Sequence, residues 1–145
     1  LYLLDTNVIS AVAPTAAAPP ALVSWLEART NELFLSAVTI AEIEAGIAKN
    51  RRQGATRKAA DLTDWLAAVV QLYGGRILGF DIGVARVAGR LIDVAQAQGQ
   101  APGFADIMIA ATGAHHGMTI LTRNLRHFVP LGVKVVDPFA GVPLP

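Results

Sequence analysis

Only eleven residues of this 145-residue chain are acidic, few enough to weigh singly. Asp5 follows the apolar run LYLL directly, which places it at the carboxyl end of a first strand. Taken alone, it reads equally well as a turn or helix N-cap aspartate and as a metal ligand. Glu42 falls in the first turns of a helix, in SAVTIAEIEAG, close to the apolar positions Ile40, Ile43 and Ile47. Glu44 points to another face of that helix, and negative charge near a helix N-terminus is favourable for either residue. Asp106 opens a helix that continues Ile107, Met108, Ile109, Ala110, Ala111. So apolar a helix must be buried, and a carboxylate at its head is costly unless a cation or hydrogen-bond donors meet it. The helix N-terminus supplies part of that compensation. Two or three carboxylates converging at one sheet edge suit a hard cation such as Mg²⁺ or Mn²⁺. Such an ion activates water and neutralises a phosphodiester.

Thr122 and Asn124 follow the strand in TILTRN and share the sheet edge with Asp5. Asn124 offers a neutral oxygen or an amide donor, and it is equally a common turn residue. The other acids read as structural. Asp81 sits where a helix N-cap belongs, and Asp61, Asp64 and Asp93 fall on polar helix surfaces. Glu27 and Glu32 flank a helix end, and Asp137 precedes Pro138. Of the three histidines, His115 and His116 are adjacent at a helix end, expected to point to different sides and to interact with the helix C-terminus; His127 stands isolated. No histidine fits a zinc pattern, and the absence of cysteine excludes disulfides and thiolate zinc sites. Ser10, Ser24 and Ser36 lie outside any nucleophile elbow, and the glycines form no phosphate loop.

The elements that must position these residues alternate. Strands are expected at Leu1–Leu4, Leu33–Ala37, Ile77–Phe80, Thr119–Thr122 and Val133–Val136. Helices are expected at Ala21–Arg29, Ile40–Asn50, Arg57–Leu72, Gly83–Gln98 and Ala105–His116, with Gly74–Gly75, Gly99 and Gly117 as stops. The proline-rich Ala11–Ala21 reads as a loop. Strands apolar throughout imply a mainly parallel sheet covered on both faces, and ligands in such folds sit beyond the carboxyl ends of the strands.

The segments LLDTNVIS, FLSAVTIAEIEAGI and ADIMIAATGAHHGMTILTRNLRHF together resemble PIN-domain toxins of the VapC type, with TRN closest to the FitB-like branch. The resemblance covers nearly the whole chain in order. It implies one PIN domain over residues 1–145, an α/β fold with a five-stranded parallel sheet in the order 3-2-1-4-5 flanked by helices, and an endoribonuclease using Mg²⁺ or Mn²⁺. The family's three acids match Asp5, Glu42 and Asp106. A fourth acid often follows the Thr-Arg pair, where this chain carries Asn124, which favours one metal or coordination completed by substrate. Thr6 and Thr122 match small hydroxyl positions that support the site, and Asn7 matches a position that braces the turn after the first strand. The resemblance also implies a homodimer and a small DNA-binding antitoxin as partner.

Two other readings stay open. In one, the domain is a weakly active or inactive module whose main role is in a DNA-bound toxin–antitoxin complex; Asn124 and the low net charge of +1 lend it support. In the other, Asp5 and Asp81 belong to a phosphoacceptor receiver domain. That reading lacks an acidic pair after the first strand, leaves Glu42 and Asp106 unexplained, and requires the strand order 2-1-3-4-5.

The composition fits one folded domain with one core. Hydrophobic residues make up 53% and charged residues 16%, too apolar for disorder, and 145 residues suffice for one core. A net charge of +1 excludes a bulk cationic nucleic-acid binder, so RNA contact must be local. Lys49, Arg51, Arg52, Arg57 and Lys58 form the one basic tract; it reads either as a substrate-binding surface or as a solvated helix end and loop. No apolar run is long enough to span a membrane and no secretory pattern opens the sequence, which sets the expectation of a cytoplasmic protein.

Overall fold

A computed structural model describes residues 1–141. The strands β1 (Tyr2–Leu4), β2 (Leu33–Ser36), β3 (Ile77–Leu78), β4 (Thr119–Leu121) and β5 (Val135–Val136) form one parallel sheet in the order β3-β2-β1-β4-β5. The expected order is therefore the observed one, and the receiver order is ruled out. The register sets Leu4 level with Leu35 on one side and Leu121 on the other. The residues that follow, Asp5, Ser36 and Thr122, thus leave the sheet at the same height.

Around the sheet lie α1 (Thr6–Ala11), α2 (Pro20–Ala28), α3 (Ala37–Arg52), α4 (Thr56–Tyr73), α5 (Ile82–Ala97), α6 (Phe104–His115) and α7 (Leu125–Phe128). Because side chains alternate along a strand, the apolar strands feed two cores. Leu4, Leu35 and Leu121 pack with Val8 and Ile9 of α1, Trp25 of α2, Ile43 of α3 and Leu66 of α4. Leu3 and Ile120 pack on the opposite face with α5, α6 and Phe128 of α7. Each such leucine or isoleucine, when fully buried, contributes about 1.5–3 kcal/mol, so both faces hold β1 in place. The helix α6 sits tightly on β4 because Gly113 has no side chain. A Cβ there would stand 2.7 Å from Ile120 Cγ1.

Departures from expectation are local. α3 begins at Ala37 rather than Ile40, because the Ser36 hydroxyl accepts a hydrogen bond from Val38 N–H and caps the helix early. β3 stops at Leu78 rather than Phe80: it is an edge strand paired only with Leu35 and Ser36, and Phe80 is solvent-exposed. β5 is likewise shorter than Val133–Val136. The helices α1 and α7 were not expected. They have six and four residues, too few for a periodic apolar pattern to register. Gly99 and Gly117 end their helices in the left-handed region, with φ of +65° and +67°.

Candidate metal centre at the end of the central strand

Asp5 leaves the central strand between its two neighbours, and its backbone N–H donates to Leu121 O at 2.9 Å. It is 3% exposed. Three donors hold its carboxylate. Thr6 N–H reaches Oδ1 at 2.7 Å, while the Asn7 side-chain amide and the Thr122 hydroxyl reach Oδ2 at 2.7 and 2.6 Å. Asp5 is also the N-cap of α1, so the N-cap role and the site role coexist in one residue. Burial pushes its carboxyl above the usual range. The hydrogen bonds from Thr122 and Thr6 oppose that rise, and the charges of Asp106 and Glu42 add to it. Asp106 and Glu42 are therefore both within electrostatic reach of Asp5.

Glu42 is solvent-exposed, and so is Glu44. Nearness to the buried stripe of α3 does not distinguish them. What distinguishes Glu42 is the Thr6 hydroxyl, which donates to its Oε1 at 2.6 Å. Thr6 Oγ1 also lies 3.3 Å from Oγ1 of Thr39, a fully buried threonine one turn before Glu42 that sequence reading passed over. Thr6 thus ties the turn after β1 to the first turns of α3.

Asp106 lies in the first turn of α6, ahead of the buried run Ile107–Gly113, with its side chain 20% exposed. Its Oδ2 lies 2.8 Å from His127 Nδ1. His127 is accordingly not isolated. It stands one helical turn after Asn124, a signal that has meaning only once α7 is recognised. Arg126 Nε–H donates to His127 Nε2 at 3.2 Å, which makes a chain from Arg126 through His127 to Asp106.

Asn7 links the turn after β1 to the residues that follow β4. Its amide reaches Thr122 Oγ1 at 3.3 Å as well as Asp5, and its Oδ1 accepts from Arg123 N–H at 3.1 Å. Thr122 is fully buried and receives Asn124 N–H at 3.0 Å. The Asn124 side chain makes no hydrogen bond and is exposed at the head of α7. Of the basic tract, Lys58 alone comes beside the acids: it shares a cavity of about 220 Å³ with Thr6, Ser10, Glu42 and Asn50. Lys49, Arg51 and Arg52 lie in the last turn of α3 and Arg57 at the start of α4, exposed.

The expectation for the paired histidines is corrected. His115 and His116 meet edge to face with ring centroids 4.9 Å apart. His115 covers Gly83 at the start of α5, where a Cβ would stand 2.5 Å from its Cε1. There it faces Asp81, the N-cap of α5, whose carboxyl accepts from Val84 N–H at 2.9 Å. That bond, helped by the nearby histidines, holds Asp81 below the usual carboxylate range.

The donor set is all oxygen, with a buried Asp5 whose ionised form lacks a cationic partner. Among the described residues, none donates a hydrogen bond to Asp106 Oδ1 or Glu42 Oε2. Among the described residues no three histidine or acidic side chains close into a ready-made cage. An all-oxygen donor set of this chemistry suits a hard cation such as Mg²⁺ or Mn²⁺, which would take part of its coordination from water.

The PIN domain family model matches residues 2–129. The VapC ribonuclease Y4jK of Sinorhizobium fredii is 33% identical over 140 residues, 96% of this chain and 98% of that protein. Toxin FitB of Neisseria gonorrhoeae is 33% identical over 144 residues, 96% of this chain and 99% of that protein. A solved structure of FitAB bound to an IR36 DNA fragment superposes with a TM-score of 0.80 at 34% identity, covering 96% of each chain. The five-strand order, the acids grouped beyond the end of the central strand and these likenesses agree: the chain belongs to the PIN-domain family, as a protein of the VapC type on its FitB-like branch.

Proposed function

We propose that this chain is the toxin of a type II toxin–antitoxin pair, an endoribonuclease that hydrolyses RNA phosphodiesters with Mg²⁺ or Mn²⁺ held by Asp5, Asp106 and Glu42. The observation that carries this reading is the buried Asp5 carboxylate, fixed by three donors and destabilised by two further carboxylates. Such an arrangement is costly as an apo structure and sensible as a cation site. The family assignment and a relative named as a ribonuclease support the same reaction class.

Each residue has a separate task in this reading. Thr6 N–H, Asn7 and Thr122 fix the Asp5 carboxylate plane. His127 holds Asp106 by one oxygen and leaves the other free, and Thr6 does the same for Glu42. When bound, the cation supplies an activated water and neutralises charge on the phosphodiester. Asn124, neutral where an acid often stands, keeps the charge of the site at three carboxylates and favours one ion. Lys58, beside Glu42, is placed to meet the RNA backbone, and the remaining basic residues Lys49, Arg51, Arg52 and Arg57 extend that surface.

We assign as partners a small DNA-binding antitoxin and a second copy of the chain, and place the activity in the cytoplasm with residues 1–145 acting as one PIN domain. The FitAB complex on DNA is the support for the antitoxin. Among the described residues no helix is long and apolar enough to cross a membrane. The test is metal-dependent cleavage by purified, antitoxin-free protein. Wild type should cut RNA with Mg²⁺ or Mn²⁺ and not with EDTA, and Asp5→Asn should not cut. Equal RNA backgrounds from wild type and Asp5→Asn would favour the regulatory module instead. Expression with the neighbouring small open reading frame should relieve growth arrest.

A further inference from the structure

The acids are flanked on two sides. On one side lies the Lys58 cavity already described. On the other, a cavity of about 320 Å³ opens between the loop before α6 and α7, lined by Gln100, Pro102, Gly103, Arg126, His127 and Leu131 among others. His127 is the wall common to this cavity and the acids, since its Nδ1 lies 2.8 Å from Asp106 Oδ2. The cavity is therefore one hydrogen-bonded residue away from a candidate metal ligand.

Its chemistry points to an anion carrying a flat ring. No acidic residue lines it. Arg126 uses only Nε in a hydrogen bond, which leaves the terminal guanidinium nitrogens for a phosphate. The Gln100 side chain makes no hydrogen bond and offers both a donor and an acceptor, the complement of a base edge. Pro102, Pro130 and Leu131 supply apolar surface. The volume is at the lower end of organic-ligand sites, about 300–1,000 Å³, and suits one nucleotide. At the cavity itself Arg126 repels a cationic side chain from a protein partner and attracts a phosphate, since no acid lines it.

We propose that this cavity is a nucleotide subsite that takes one unpaired nucleotide of the RNA strand beside the scissile phosphodiester, with Arg126 on the adjoining phosphate and Gln100 on the base edge. The strand then crosses the acids from the Lys58 cavity to the Arg126 cavity. An unpaired base is required because single-stranded RNA exposes its edges for reading. This subsite rests on the nuclease reading for the position of the scissile bond.

The experiment uses the full chain and a fluorescein-labelled single-stranded oligoribonucleotide. Binding is followed by anisotropy in EDTA, where no cleavage competes, and steady-state cleavage is followed separately with Mg²⁺. Two variants probe the cavity: Arg126→Ala removes the cation, and Ala101→Phe fills the space from the loop with Arg126 and His127 themselves retained. Each is expected to weaken binding fivefold or more and to raise KM, with kcat the lesser effect. Arg126→Ala should also reduce the salt dependence of binding by about 0.7 in the log–log slope, as for one lost phosphate contact on a single strand. Wild-type affinity in both variants overturns the subsite, whether or not the protein cleaves, and so does a wild type that binds no RNA. Unchanged RNA binding with weakened antitoxin binding reassigns the cavity to the partner and also overturns it. If the variants lose binding but wild type never cleaves with either metal, the subsite stands and the hydrolytic reading fails.

Discussion

Asp106 is joined to His127 by a single 2.8 Å contact between Oδ2 and Nδ1. The direction of that contact follows from the next one. Arg126 Nε–H donates to His127 Nε2, so the imidazole hydrogen belongs on Nδ1 and points at the carboxylate. A histidine that donates to a ligand carboxylate fixes the plane of the carboxylate and leaves one oxygen for a cation.

His127→Ala should therefore loosen Asp106 without removing any acid. Outer-shell partners of this kind are worth about tenfold or more in metal affinity. Calorimetric titration with Mn²⁺ should record a tenfold weaker binding constant in the folded variant. An unchanged constant would make His127 a bystander.

Glu42 and Glu44 provide an internal control, because they share a helix and exposure and differ in contact with Thr6. Glu42→Gln should lower metal-dependent cleavage at least tenfold, while Glu44→Gln should stay within twofold of wild type. Asp106→Ala should abolish cleavage with the circular-dichroism spectrum intact. Equal losses from the two glutamine variants would remove Glu42 from the site.

Thr122 is fully buried and gives its hydroxyl hydrogen to Asp5 at 2.6 Å. Thr122→Val keeps the shape and leaves the buried carboxylate, Asn7 and Asn124 N–H short of a partner. The cost should be about 1–3 kcal/mol in urea denaturation, with Thr122→Ser losing less. A Val variant as stable as wild type would show that the site relaxes around the loss.

Asp5 should leave a signature in the pH dependence of stability. Its carboxyl is raised above the ordinary 3.8 in the folded chain, chiefly by burial. Between 3.8 and the raised value the folded state therefore binds more protons than the unfolded one. The contribution of Asp5 to stability falls as pH rises through that window and is constant above it. Asp5→Asn lacks this slope. Stability of the variant minus that of wild type should increase from pH 3.8 upward and then level off. Any fixed penalty from placing an amide opposite Asn7 shifts the whole curve and not its shape. A difference independent of pH would contradict the raised pKa.

The strands were legible because they are buried on both faces and hence apolar throughout, as in LYLL and LFLS. Asp5 and Asp106 were legible for a related reason: each is a charge that ends or begins such a run. Glu42 was legible only by resemblance, since its distinguishing contact comes from Thr6, 36 residues earlier in the chain. His127, Arg126 and Thr39 escaped because their importance depends on α7 and on a buried hydroxyl pair. Neither a four-residue helix nor a contact across the fold leaves a periodic trace. The paired histidines show the same limit. Adjacency along the chain suggested divergence, but at the end of α6 the rings turn toward one another over α5.

The donor that steadies Asp5 lies 117 residues further along the chain. The middle strand of the sheet is thus made first and completed late, when β4 pairs with it and brings Thr122 alongside. A ribosome must pass Thr122 before the Asp5 carboxylate has its full set of donors. Fragments from early termination between α5 and β4 leave one edge of β1 bare and the Asp5 carboxylate without its Thr122 donor.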